Sequence, residues 1–292
     1  AEGYDAALDA LRLAGRDAQG APGLKLATDL AIGKLDVFGR RLENLQVKAA
    51  TERDGWSAAI ESKNILGNVS YRAAEGGKLV ARMSRFVDPP ASPAAGPARD
   101  LEDLPAALDL VADSFNFRGK EFGSMQVVAH REDRDWILER VAMRNLDGSL
   151  IGKGRWRVGA GASTSFDVDV DASDVGRLLE RFGYPGMVAG GSAQGQMSVR
   201  WNGDPVPIDY ASLNGDLNLH AKDGQFLEIK PGIGKLLSLL SLQMLPQRIT
   251  LDFSDVFSKG FKWTRIDATA QIANGVIETR DLRMQGSAAD VV

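Results

Sequence analysis

Residues 165–171 read SFDVDVD. With side chains alternating, Phe166, Val168 and Val170 fall on one side and Asp167, Asp169 and Asp171 on the other. That is the period of a β-strand with one dry face and one wet face. Residues 213–219 (LNGDLNL) and 266–272 (IDATAQI) alternate in the same way. Between such runs stand Asn202-Gly203, Asn214-Gly215, Asp223-Gly224 and Asn274-Gly275, all read as turns. Strands and turns at short, regular spacing predict a mainly β fold of meandering antiparallel units.

Three stretches break the alternation. Residues 1–16 begin helix-like, with Leu8, Leu11 and Leu13. Residues 171–182, DASDVGRLLERF, predict a short helix capped by Ser173 or Asp174 and stopped near Gly183 and Pro185. The third is KPGIGKLLSLLSLQMLPQR, residues 230–248. Pro231 and Pro246 bracket an apolar helix over about 232–245. Leu237, Leu240 and Met244 fill one side, and Leu236, Leu239, Leu242 and Leu245 fill most of the rest. A helix without a wide polar face is buried nearly all round, in protein or in lipid. Its length, about 16 Å at 1.5 Å per residue, is too short to cross a bilayer.

The chain also repeats itself. Residues 35–56 align with 115–136 at an offset of 80 (115 − 35), with Gly39/Gly119, Gln46/Gln126, Val47/Val127, Ala49/Ala129, Glu52/Glu132 and Trp56/Trp136 identical. Between the two copies lies DPPASPAAGPAR, a Pro/Ala linker. This gives a first β-unit at 1–87, a linker at 88–100 and a second β-region at 101–292. Residues 212–229 and 265–286 resemble further units. Such repetition suggests an architecture in which each unit stacks on the next.

Chemistry has little foothold. The 292 residues carry a net charge of −4, with 44% apolar and 25% charged residues and no cysteine. That composition suits a folded water-soluble chain and argues against broad nucleic-acid binding, and no basic block offsets it. Without cysteine there are no disulfides, thiolate nucleophiles or cysteine-bound metals. His130 and His220 sit in alternating strand contexts and read as solvated. Residues 167–178, DVDVDASDVGRL, have the look of a calcium loop, but Ala172 replaces the turn glycine and Leu178 the bidentate glutamate. Residues 231–238 lack the first glycine and the Ser/Thr of a phosphate loop. The five tryptophans are spread among strands and read as sheet packing. Asp252 and Asp255 are paired acids without a distinguishing spacing. No cofactor, metal or catalytic residue is expected. The last residues, MQGSAADVV, stop in mid-pattern, so the chain is read as part of a longer protein.

Residues 230–291 resemble the C-terminal region of the YhdP family of AsmA-like proteins. The elements are the Pro-Gly-x-Gly turn at 231–234, the LLSLLSLQMLP helix, LDFSDVFSKGF (251–261), RIDATAQI, the Asn274-Gly275 turn and LRMQG. FGYPG (182–186), GGSAQGQMSVRWNGDP (190–205) and SLNGDLNLHAKDGQFL (212–227) extend the resemblance to about 165–292. It implies a periplasmic portion of a Gram-negative protein anchored in the inner membrane, the anchor lying outside this chain. It further implies β-units joined into an elongated, curved, groove-like sheet that carries phospholipid between inner and outer membranes, without catalytic residues.

On that reading the dry faces line a lipid groove through Phe166, Val168, Val170, Leu217, Leu219, Ile266 and Ile272. Leu236, Leu237, Leu239, Leu240, Leu242, Met244 and Leu245 act as plug, gate or membrane contact. Partners would be phospholipid, the two membranes and envelope proteins. The alternative is a structural β-scaffold whose dry faces pack on each other.

Overall fold

The computed structural model describes residues 27–37, 40–92, 105–206, 208–227, 261–279, 281–286 and 290–291. The helix-like start at 1–16, the apolar segment at 232–245 and Asp252 and Asp255 lie outside these residues. The described chain is mainly β, as the alternation requires. It divides into two compact units, 1–131 and 132–292. This boundary falls within the second β-region, while the Pro/Ala stretch at 88–100 lies inside the first unit.

The first unit holds β1 (Ala27–Val37), β2 (Arg40–Glu52), β3 (Gly55–Glu61), β4 (Ile65–Arg72), β5 (Lys78–Val87), β6 (Ala107–Phe117) and β7 (Lys120–Glu132). Successive strands pair antiparallel, with one exception. β5 and β6 run parallel, from Lys78↔Ala107 to Val87↔Asn116. A parallel pair needs a long connection to bring the chain back to the same end, and the Pro/Ala stretch is that connection. Within the stretches on either side of that connection, β1–β5 and β6–β7, every pairing is antiparallel, as the expectation of antiparallel units has it.

The sequence repeat is a structural repeat. The ladder Ala27↔Ala50 to Ile32↔Leu45 between β1 and β2 reappears as Ala107↔His130 to Ala112↔Met125 between β6 and β7. Every partner is displaced by 80 (107 − 27; 130 − 50). The dry side of this unit gathers Leu42, Leu45, Val47, Ala58 and Ile65 into one cluster and Ala81, Met83 and Ala112 into another. Trp56 stacks on Tyr71 with ring centroids 6.2 Å apart. At the hairpin end, Arg41 grips Asp36 with two hydrogen bonds of 2.8 and 2.7 Å.

The second unit holds β8 (Asp135–Asn145), β9 (Gly148–Arg157), β10 (Ser163–Ala172), α1 (Val175–Phe182), β11 (Val188–Asn202), β12 (Asn214–Phe226), β13 (Phe261–Ala273), β14 (Val276–Thr279), β15 (Arg283–Gly286) and β16 (Asp290–Val291). Its strands pair antiparallel in chain order through β13, which also pairs with both β14 and β15. α1 is the predicted helix. The Asp174 side chain accepts from the Arg177 amide at 2.9 Å, and Gly183 closes the helix in the left-handed conformation. Asp147, buried in the turn between β8 and β9, holds the helix at both ends: its carbonyl accepts from the Ser173 and Asp174 amides before the first turn, and its carboxylate accepts from Arg181 in the last turn.

Two of the four expected turns are not turns. Asn214-Gly215 opens β12 and pairs with Val199 and Arg200. Asp223-Gly224 lies within β12, where Asp223 takes φ 56° opposite Gly191 at φ 80° and the ladder keeps the same register on either side of them. Asn202-Gly203 leads from β11 into the connection to β12. Asn274-Gly275 is a two-residue hairpin, both residues left-handed (φ 50° and 77°), which matches the twist of the flanking strands.

Candidate functional site

Burial in the second unit follows the alternation closely. Along β10, Thr164, Phe166, Val168, Val170 and Ala172 are buried or half-buried, while Ser165, Asp167, Asp169 and Asp171 are exposed. Direct cross-strand partners share a face, so the register assembles these residues into rows. One row runs Leu138, Gly154, Phe166, Val199, Gly215, Ile272 and Ile277 across β8 to β14. The next runs Val141, Gly152, Val168, Met197, Leu217 and Ala270. A third runs Met143, Leu150, Val170, Gly195, Leu219 and Ala268. A fourth ends in Ala193, Ala221, Ile266 and Met284.

All seven expected face residues therefore stand on one side of one sheet. Ile266 and Ile272 are buried at 7% and 6% exposure. Phe166, Val168, Val170, Leu217 and Leu219 remain half-exposed although paired strands flank them on both sides. The buried clusters consist of side-by-side neighbours. Val199, Trp201 and Ile272 gather Phe166 and Met197, and Phe261, Trp263, Ile266 and Met284 gather Val188 and Phe226. Among the described elements, strands pack chiefly on ladder neighbours, and α1 packs on β11. Among the described residues, no second layer packs over Val168, Val170, Leu217 and Leu219.

Several members of this face were not picked out from the sequence. Met197, Val199 and Trp201 alternate with Gln196, Ser198 and Arg200, but the run begins with glycines and alanines and its pattern is faint until it is paired with β10. Trp136, Trp156 and Trp201 cluster toward one end. Trp156 donates from Nε1 to the Asp204 carboxylate at 3.1 Å, and Trp201 donates to the Asp204 carbonyl at 2.8 Å.

The wet face is held by polar ladders. Ser198, Gln196 and Gln194 donate to Asp167, Asp169 and Asp171 at 2.7, 3.1 and 3.1 Å. These three carboxylates are hydrogen-bonded across a strand pair and do not converge on one point. No cluster of acids and histidines fit for a metal occurs among the described residues. His220 contacts Asp267, which also receives Arg265. The Arg265 hydrogen bond, then that of His220, holds the Asp267 carboxyl down at about 2. His220 is exposed, as expected of a solvated strand histidine.

Two shallow hollows both open on wet faces. One, of about 450 Å³, in the second unit, has Gln196, Ser198, Asp216, Asn218, Gln271 and Glu278 in its lining together with Met197, Leu217 and Ala270. The other, of about 190 Å³, in the first, has Lys48, Ser57, Asn68, Ser70 and Arg82 in its lining together with Ala58, Val69 and Val80.

The family model described as "YhdP protein" matches residues 10–292. The chain belongs to the YhdP family. The family match therefore reaches well into the first unit, beyond the 165–292 carried by the sequence motifs. A curated relative, "Intermembrane phospholipid transporter YhdP" of Escherichia coli (strain K12), is 31% identical over 144 residues. That alignment covers 49% of this chain and 11% of the relative. No solved structure matches the chain significantly. Among the described residues, no helix is long and apolar enough to cross a membrane.

Proposed function

We propose that the dry face of this YhdP-family chain shields the acyl chains of phospholipids moving between the inner and outer membranes of a Gram-negative envelope. On this reading the chain is a periplasmic, non-catalytic stretch of a longer membrane-anchored protein. The observation that carries the reading is the set of in-register apolar rows across β8 to β13, half-exposed at their centre. The name of the E. coli relative supplies the ligand class.

The energetics fit. Burying hydrocarbon gains ~0.8 kcal/mol per CH₂, so a tail of about 16 carbons gains on the order of 10 kcal/mol on leaving water. A conduit also requires evenness, because a single deep polar well would trap its cargo. The two central rows are built from valine, leucine, methionine, alanine and glycine, without a charged side chain to clamp a headgroup. The headgroup would stay in solvent. The apolar residues from Leu236 to Leu245 belong to the same path in this proposal, as plug, gate or membrane contact.

Native mass spectrometry with lipid extraction tests the proposal. The chain purified from a Gram-negative envelope should carry phospholipid, and a Val168→Asp/Leu219→Asp variant that keeps its strand spectrum should not. A lipid-free wild-type chain would leave only the structural-scaffold reading.

A further inference from the structure

The two central apolar rows contain two glycines that differ in kind. Gly152 stands in the second row and Gly195 in the third. A Cβ on Gly152 would lie 2.7 Å from the Asp167 carbonyl oxygen and 3.2 Å from Cγ2 of Val168, so the chain itself fills that place. Gly148, Gly154 and Gly215 on the same face are crowded too, each by a backbone oxygen at 2.5 Å or closer. At Gly195 a Cβ would meet nothing nearer than 3.8 Å, with Cβ of Val170 and Cδ1 of Leu219 each at 3.9 Å. Nor does the backbone demand glycine there: Gly195 is not among the positive-φ residues and pairs regularly with Val170 and Leu219. A glycine in a strand interior weakens the strand, and it often marks a place where something else approaches the backbone. The second and third rows are half-buried throughout, whereas Val199 and Ile272 on one side and Ala221, Ile266 and Met284 on the other are buried. Gly195 is therefore a dip in the middle of the open strip.

We infer that the dip at Gly195 seats an acyl tail of the lipid, walled by Val170 and Leu219, so that this one position sets how much hydrocarbon the centre of the dry face admits. The inference rests on the lipid-shielding reading and adds to it the residue that gauges the tail. A methylene group asks for no hydrogen bond and gains by packing at van der Waals distance from carbon atoms. Without a Cβ at 195 it settles one carbon deeper than it would over Ala268 or Ala270 in the same rows. The dip is preformed. On the wet side of the same strand, Gln194 and Gln196 donate to Asp171 and Asp169, each at 3.1 Å, and tie the backbone on either side of Gly195 to β10.

Gly195→Ala and Gly195→Leu test this in the full chain, delipidated and mixed with dioleoyl phosphatidylglycerol, with occupancy read by native mass spectrometry. Lipid-free, neither variant should lose stability in urea, because the added Cβ has room and the strand sheds a glycine. The dissociation constant for the lipid should rise by roughly threefold for Gly195→Ala, and by roughly tenfold or more for Gly195→Leu, which displaces about two methylene groups from the face. Equal or tighter binding by Gly195→Leu overturns the inference and leaves the lipid reading standing. A native chain that binds no lipid overturns both. A lipid-free Gly195→Leu chain whose urea midpoint falls would show that the protein's own residues fill the dip, and overturns the inference as well.

Discussion

Trp263 lies flat against Gly224: a Cβ on that glycine would stand 2.2 Å from Cζ2 of the indole. The glycine is there to let an aromatic ring settle on the backbone of the neighbouring strand. Trp263 is 3% exposed and sits in the cluster with Phe261, Ile266 and Met284. Gly224→Ala should destabilise the second unit by about 1–3 kcal/mol through overpacking. Urea unfolding followed by tryptophan fluorescence measures it, and an unchanged midpoint would refute the close contact.

Gly154 makes a similar demand on the apolar rows. A Cβ there would come 2.3 Å from the Ser165 carbonyl oxygen and 2.8 Å from Cδ1 of Phe166. Phe166 in turn stacks on Trp201 at 5.9 Å. Gly154→Val should cost roughly 1–3 kcal/mol and alter the near-ultraviolet dichroism of these rings. Gly159, on an open connection with nothing near its Cβ direction, is the control for local crowding. At φ 91° its own substitution carries only backbone strain.

The Asp267 cluster gives stability a pH dependence of definite sign. Its carboxyl lies at about 2 in the folded chain, against an ordinary value of 3.8. A depressed carboxylate stabilises the fold above its unfolded pKa and loses that contribution as pH falls through the folded one. The difference in urea midpoint between the native chain and Asp267→Asn should therefore be constant at neutral pH. It should shrink as pH falls from about 4 toward 2. A difference that grows on acidification would contradict the assigned geometry.

Much of the fold could be read from residues alone because strand alternation is local. SFDVDVD declares its two faces without help, and the 80-residue offset anticipates the matching ladders of β1–β2 and β6–β7. What escaped was non-local. The same dipeptide chemistry makes a hairpin at Asn274-Gly275, a strand start at Asn214-Gly215 and a ring seat at Asp223-Gly224. Only the partner strand decides among them. The parallel pairing of β5 with β6 was hidden for the same reason, since a Pro/Ala linker does not say which way the chain returns. The dry residues of β11 needed β10 beside them before Ala193, Gly195 and Met197 read as a face.

For the apolar segment, Leu240→Asp should lower phospholipid delivery while the exchange protection of β10 to β13 stays within about twofold of the native chain. Wholesale loss of protection in those strands would make the segment ordinary core.

On the proposed function, fatty tails lie on one face of the sheet and not on the other. Site-specific photo-crosslinking in living cells tests this most directly, with the probe placed at Val168 or Leu219 on the dry face and at Asp169 or Asn218 on the wet face. Phospholipid adducts are expected from the first pair only. Equal adducts from both faces, or none from Val168 and Leu219 in a folded chain, would contradict it.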